Sequence, residues 1–459
     1  MTEVLAPIDE LRSQIRGDVI GRDDARYDDA RALYNAMIDK RPELIVRCRD
    51  VADVIAAVRY GGEAGLDVAI RSGGHNGGGL GSVEDGIVID LSQMNGVRVD
   101  PDAGLVTAEG GALLGDLDHA THAFGQAVPA GIISTTGVAG LTLGGGTGHL
   151  TRAHGLTIDS LVSADVVLAD GSFVHASEHE NDDLFWALRG GGGNFGVVTS
   201  LTFRLAPVAN VVGGPMFWPV ERAAEILSWY RDFIGEQPEY LGGFFNFHSI
   251  PPAPPFPEEL HLQKVCGIVW CCPEVEHAGE LLAPARALGP VLDGVMEMPL
   301  PVLNSAFDAL YPAGDQWYWR ADFVGEVPDE AVELNAEWGA KMPTWKSGMH
   351  LYPIDGAQQR IGRNDTPWSF RDANFAQVII GVDPDPAVKD ELRDWCVGYW
   401  EAMHPYSAGG GPLNMMGLEE GQERVQATYR DNYSRLAQIK AKYDPDNFFH
   451  VNQNIRPAT

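Results

Sequence analysis

The sequence predicts an α+β protein: a glycine-rich α/β unit of nucleotide-binding character, then a second domain of antiparallel sheet covered by helices. Three observations predict this. The chain has 459 residues, more than one hydrophobic core normally holds, so two domains are expected. Three glycine blocks fall within strand–helix–strand text before about residue 200. Near residue 208 glycine thins out, and strands alternate with longer amphipathic helices.

The elements follow in order. Residues 1–40 read as polar and helical, with no chemistry of their own. Residues 43–47 (ELIVR) read as a strand, and 50–64 as a helix capped by Asp50, with Val51, Val54, Ile55 and Val58 on one face. The strand 67–71 (DVAIR) runs straight into the first glycine block, 72–79. Strands follow at 87–91 and 105–109, then a helix near 112–124, the second glycine block at 144–148 and the third at 190–196. The third leads into the strand-like run 197–203. Beyond 208, the residues Ile226, Leu227, Tyr230 and Phe233 recur at helical spacing, and strands are expected near 241–248, 261–272, 317–325 and 374–382. A helix is expected over about 386–403; a glycine loop at 409–411 and a helix at 429–442 close the chain.

Charge and cysteine usage narrow the function. Lys plus Arg number 33 against 64 Asp plus Glu, a net charge of −31. Such a surface repels phosphate backbones and anionic lipid, so neither nucleic acid nor membrane is an expected partner. The five cysteines (Cys48, Cys266, Cys271, Cys272 and Cys396) are scattered, with no zinc spacing, and read as buried thiols in a reducing compartment. No metal site is expected. The first residues lack a basic stretch followed by an apolar run, and no stretch approaches the ~20 apolar residues of a membrane span. A cytoplasmic location is expected.

Glycine reaches positive φ without strain and lets backbone N–H groups approach a ligand; successive N–H groups form an anion nest suited to a pyrophosphate. Three such blocks suggest an extended dinucleotide lying along the domain. The third contains a G-x-G-x-x-G match over 191–196, but it leads into a strand instead of opening a helix, which argues against a Rossmann site. His75 stands inside the first block, where a neutral imidazole, a nucleophile, can reach whatever the loop holds.

The run Arg71-Ser72-Gly73-Gly74-His75-Asn76 resembles the covalent-flavin loop of the berberine-bridge-enzyme-like FAD-linked oxidases, within the vanillyl-alcohol-oxidase superfamily with its PCMH-type FAD-binding domain. Residues 140–150 with 154–159, residues 182–198 and residues 443–455 resemble that family's other signatures. The resemblance implies a two-part FAD-binding domain, residues 1–207 completed by a returning segment 406–459, around a substrate domain at 208–405. It implies FAD bonded through its 8α carbon to His75, and flavin contacts from Arg71, Ser72, Gly73, Gly74, Asn76, Thr135, Thr136, Gly137, Val138, Gly140, Gly144, Gly145, His149, Asp159, Gly196, Val198, Asn452 and Asn454. Many members carry a second link from a cysteine before the second block; Ile133 stands there in this chain, so attachment through His75 alone is expected, as in singly linked bacterial members. Val138 occupies what resembles the oxygen gate, and its small size favours an oxidase.

The implied activity is oxidation of a small organic substrate (an alcohol, amine, phenol or sugar) by hydride transfer to flavin N5, with O2 as acceptor giving H2O2. Alternatives are a dehydrogenase or oxidative cyclase on the same fold, and a flavin-carrying binding protein without turnover. Tyr429 and Asn432 lie in a segment that borders the active site in relatives and are the candidate catalytic residues. Trp317, Tyr318, Trp319 and Arg320 form an aromatic strand that could wall the substrate, with His350 and Arg371 as further candidates. Substrate identity and oligomeric state are not legible.

Overall fold

The computed structural model describes residues 8–459. Among the described residues there are three sheets. The first holds β1 (Asp18–Gly21), β2 (Leu44–Arg47), β3 (Val68–Arg71) and β4 (Ile87–Asp90) in the order β1-β2-β4-β3. β4 runs parallel to both β2 and β3, and β1 is an antiparallel edge. Parallel strands need a crossover, and the helix Val51–Glu63 supplies it. Asp50 caps it, accepting from the Ala52 and Asp53 amides, and Val54, Ala57 and Val58 are buried on its inner face.

The amino-terminal stretch departs from its helical expectation. Residues 1–7 lie outside the described residues; over 8–40 the described chain forms the short helices Ile8–Gln14 and Tyr27–Arg31, with β1 between them. Ile20 is fully buried where β1 closes the sheet edge against β2; pairing outweighs local helix propensity there.

The second sheet is antiparallel: β5 (Val97–Asp100), β6 (Leu105–Glu109), β7 (Leu161–Val167), β8 (Phe173–Ser177) and β9 (Val197–Arg204), ordered β5-β6-β9-β7-β8. The second glycine block follows the helix Val138–Leu143 packed beneath this sheet.

The third sheet has eight strands: β10 (Asn210–Pro219), β11 (Gly242–Ser249), β12 (Lys264–Cys272), β13 (Leu292–Asp293), β14 (Met296–Pro299), β15 (Gln316–Val324), β16 (Gly348–Pro353) and β17 (Phe375–Asp383). The main path is β13-β10-β12-β11-β16-β17-β15, with β14 paired to β10. Side chains alternate between faces. Phe245, Phe247, Met349, Leu351 and Ile379 pack with the helices Ala223–Ile234, Asp329–Ala340 and Lys389–Met403. Phe244, Tyr352, Trp317, Val378 and Ile380 face the other way, toward the glycine-rich half. The cysteines are free and buried, and burial pushes the Cys266 and Cys272 thiols up to about 12 and about 11.

The last helices return to the second sheet. Val425, Tyr429, Leu436, Ile439 and Ile455 share a core with Val106, Phe195 and Leu201. The tail is latched to the third glycine block through Asn194: its side-chain amide donates to the Gly191 and Gln453 carbonyls, and its oxygen accepts from the Ile455 amide at 2.9 Å. Lys440, fully buried, pairs with Asp444 and donates to the Asn194 and Phe449 carbonyls, so the buried charge is both paired and hydrogen-bonded.

Candidate active site

One cavity lies between the glycine-rich half and the inner face of the third sheet. Arg71, Ser72, Gly73, Gly74, His75 and Asn76 line it from the first loop; Thr136, Gly137, Gly140 and Gly144 from the second block; Gly196, Val198 and Asn452 from the third block and the tail. The sheet roofs it with Trp317, Trp319, His350, Tyr352, Val378 and Ile380.

Backbone contact explains why two of these positions are glycine. A methyl group on Gly73 would stand 2.3 Å from the Gly137 nitrogen, and one on Gly137 2.3 Å from the Gly73 nitrogen. The two loops touch main chain to main chain, and no side chain fits either position. At Gly145, φ is +116 and an added methyl would meet Trp368 at 2.3 Å.

His75 is held from two sides. Tyr34 stacks on its ring, with centroids 3.8 Å apart and planes 19° from parallel. Its Nε2 lies 3.0 Å from the Thr135 hydroxyl and its Nδ1 3.4 Å from the Thr136 hydroxyl. Burial lowers its pKa to about 4, so at neutral pH the ring is uncharged with one nitrogen lone pair available. Arg71 organises this arrangement. Its guanidinium donates to the Ala30 carbonyl at 2.6 Å and Asp90 at 2.8 Å, tying the end of β3 to the segment that delivers Tyr34. Asn35 then donates to the carbonyls of Gly77 and Trp317, and Tyr34 donates to the Tyr311 carbonyl at 2.7 Å. Neither Tyr34 nor Asn35 carries a sequence signal: they stand in a polar stretch with no periodicity.

The roof contains a second polar group. His350 Nδ1 and the Tyr352 hydroxyl are 2.7 Å apart, two residues along one face of β16. Burial lowers His350 to about 3, and it raises Tyr352. The period-two pattern Met349-His-Leu-Tyr352 is the signal that could have marked this strand.

Several expected positions lie off the cavity. Tyr429 is buried in the core of the second sheet, because its helix packs there. Asn432 donates to the carbonyls of Arg363 and Thr366 and to the Ser369 hydroxyl, so it pins a loop. Neither stands where a substrate would react. Asp159 gives both carboxylate oxygens to Arg371, at 2.7 and 2.8 Å, which removes both residues from the cavity wall. Gly145 is covered by Trp368. Val138 is fully buried in the core beneath the second block. Thr135 reaches the site only through its hydroxyl on His75, and the Asn454 carbonyl accepts from Gln422. Of the expected aromatic strand, Tyr318 and Arg320 project to the opposite face, where both bind Glu419.

His149 is buried beside Phe244 with neither ring nitrogen partnered among the described residues, and burial lowers its pKa to about 4. Its folded pKa lies below the unfolded value of about 6.5, so the unfolded state takes up the proton first and stability falls as the pH drops from 6.5 toward 4. His149→Leu is expected to leave stability at pH 7 within about 1 kcal/mol. In urea titrations between pH 6.5 and 5 it should remove up to about 1.4 kcal/mol per pH unit of the wild-type slope. An unchanged slope contradicts the placement of this ring.

The site fits FAD. Ser72 Oγ and Asn452 Oδ1 line its wall, buried and without a hydrogen-bond partner among the described residues, and glycine-rich loops of this kind offer backbone N–H groups to a dinucleotide.

Comparison with known proteins gives the same picture. Residues 42–177 match the model described as FAD binding domain, and residues 412–456 match the model described as berberine and berberine like. The chain is 30% identical to (R)-6-hydroxynicotine oxidase of Paenarthrobacter nicotinovorans, over 96% of this chain and 97% of that protein. It is 40% identical to glucooligosaccharide oxidase of Sarocladium strictum, over 92% of this chain and 89% of that one. The crystal structure of 6-hydroxy-D-nicotine oxidase from Arthrobacter nicotinovorans superposes with a TM-score of 0.86 at 26% identity, covering 100% of both chains.

Proposed function

The chain belongs to the berberine-bridge-enzyme-like FAD-linked oxidoreductases, and from that premise we propose that it is an oxidase of a small organic substrate whose FAD is bonded to His75 alone. The observation that carries the proposal is the neutral His75 ring, clamped between Tyr34 and the Thr135 hydroxyl at the cavity wall. Residues 71–76, Thr136, Gly137, Gly140, Gly144, Gly196 and Asn452 hold the cofactor in this reading. When bound, FAD would supply a two-electron acceptor, receiving hydride at N5 and passing two electrons and two protons to O2 to give H2O2.

The chain's own groups do the rest. His75 keeps the cofactor from leaving between turnovers. Ser72 Oγ and the loop amides offer hydrogen bonds to its polar edges. The aromatic roof excludes water and orients the substrate C–H. Attachment at a single residue is supported by Ile133 at the place of a second link and by the absence of any cysteine from the cavity wall among the described residues. The names of the oxidase relatives support O2 as acceptor.

The same reading divides the chain into a cofactor part at 1–207 and 406–459 and a substrate part at 208–405. No described helix is long and apolar enough to cross a membrane, and five unpaired cysteines support a cytoplasmic location.

The test is anaerobic mixing of the purified protein with a panel of alcohols, phenols, sugars and amines, followed by air. Bleaching of the yellow colour by a panel member, then rapid recovery with one H2O2 per cycle, is the expected result. Bleaching with recovery over many minutes makes the protein a dehydrogenase. No bleaching by any class removes the enzymatic reading.

A further inference from the structure

Resting on the reading above, we propose that the substrate is an uncharged aromatic alcohol and that Tyr352, hydrogen-bonded to His350, takes the proton from its hydroxyl. The roof's composition carries the substrate class. Trp317, Trp319, Val378 and Ile380 offer flat apolar surface. Among the described residues no carboxylate or lysine lines the cavity, and the one guanidinium, Arg71, is spent on Asp90 and the Ala30 carbonyl. An ammonium substrate would therefore lose its hydration without a counter-charge. A glycan would bury several hydroxyls against few partners, since the roof's polar side-chain groups are His350, Tyr352, Tyr311 and indole N–H groups. One hydroxyl on an aromatic body matches one polar pair in an aromatic wall.

The geometry of the pair carries the proton role. The hydroxyl of Tyr352 and Nδ1 of His350 are 2.7 Å apart, and Phe244 packs against both rings at 4.8 and 4.9 Å. The ring of His350 is neutral before reaction, so Nδ1 can accept from the phenol while the phenol oxygen accepts from the substrate. As the carbinol C–H hydrogen leaves with its electron pair for the FAD, the O–H proton passes to Tyr352 Oη and the phenolic proton to His350 Nδ1. The substrate becomes the carbonyl compound. Burial disfavours a lone imidazolium, but the negative charge arriving across the same low-dielectric cavity offsets it.

The experiment uses holoenzyme with 4-methoxybenzyl alcohol, benzylamine and cellobiose as probes. Binding is read by tryptophan fluorescence, reduction by anaerobic stopped-flow, and cofactor retention by the colour left on denatured protein. Expected for wild type is quenching and bleaching by the benzylic alcohol, with neither of the other probes approaching it. Tyr352→Phe is expected to lower the reduction rate about 100-fold or more with the dissociation constant changed less than about threefold. His350→Gln, which keeps an acceptor for the phenol but cannot hold a proton, should bind equally and be slowed about tenfold or more. Preference for the amine or the glycan, with colour retained, overturns the substrate class while the flavin reading survives. Unchanged reduction in Tyr352→Phe overturns the proton role. Protein without any FAD overturns both.

Discussion

His75→Ala is expected to abolish covalent flavin entirely while leaving a folded protein. The glycine cradle is not built on this side chain: Gly73 and Gly137 touch main chain to main chain, and Arg71 pairs with Asp90. FAD should still bind, but reversibly, and wash out on dilution or denaturation. Tyr34 loses the ring it stacks on at 3.8 Å, so the cofactor that remains is less well positioned. A displacement of about 1 Å at a reacting centre costs about 100-fold in rate, and turnover with saturating added FAD is expected to fall by about that much. The check is the absorbance of the denatured, washed variant together with turnover at increasing FAD. Retained colour after denaturation would place the attachment elsewhere.

The second large effect concerns a residue outside the cavity. Arg371 grips Asp159 with two hydrogen bonds at 2.7 and 2.8 Å and also donates to the Thr366 hydroxyl and the Gln358 carbonyl. Its side chain is 3% exposed and that of Asp159 7%, so the pair is shielded from screening by solvent. Arg371→Ala leaves the carboxylate buried without its partner, which typically costs about 3–5 kcal/mol. The pair also fixes the loop that presents Trp368 to Gly145, so flavin retention should fall with stability. The double variant Asp159→Leu/Arg371→Met removes both charges and is expected to recover much of the loss. A double-mutant cycle in urea checks this; additive costs for the two single changes would mean that the pair is not coupled.

How legible the site was depends on the kind of signal. The loop at 71–76 could be read because glycine spacing and an embedded histidine are local chemistry on consecutive residues. The helix capped by Asp50 and strands β2, β3, β6 and β9 announced themselves by periodicity and capping. Tyr34 could not be found this way, because its role exists only once Arg71 draws the segment after residue 30 onto the end of β3. β10 carries no clear strand signal, because Gly213, Gly214 and Pro215 interrupt its apolar run. β16 is short and ends at Pro353, so the sequence marks only His350 of its cavity-facing pair. Tyr429 and Asn432 were expected at the site by likeness of segment, yet their helices turn them into the core and toward the 363–369 loop. Asp159 looked like a cofactor ligand, and its partner, Arg371, is 212 residues away in sequence.

The most direct measurement is the mass of the intact wild-type chain after acid denaturation and washing, followed by mapping of its proteolytic peptides. A gain equal to one FAD, carried wholly by the peptide containing His75, is the predicted outcome. A chain of unmodified mass with free FAD in the wash, or a flavin located on any other residue, contradicts it.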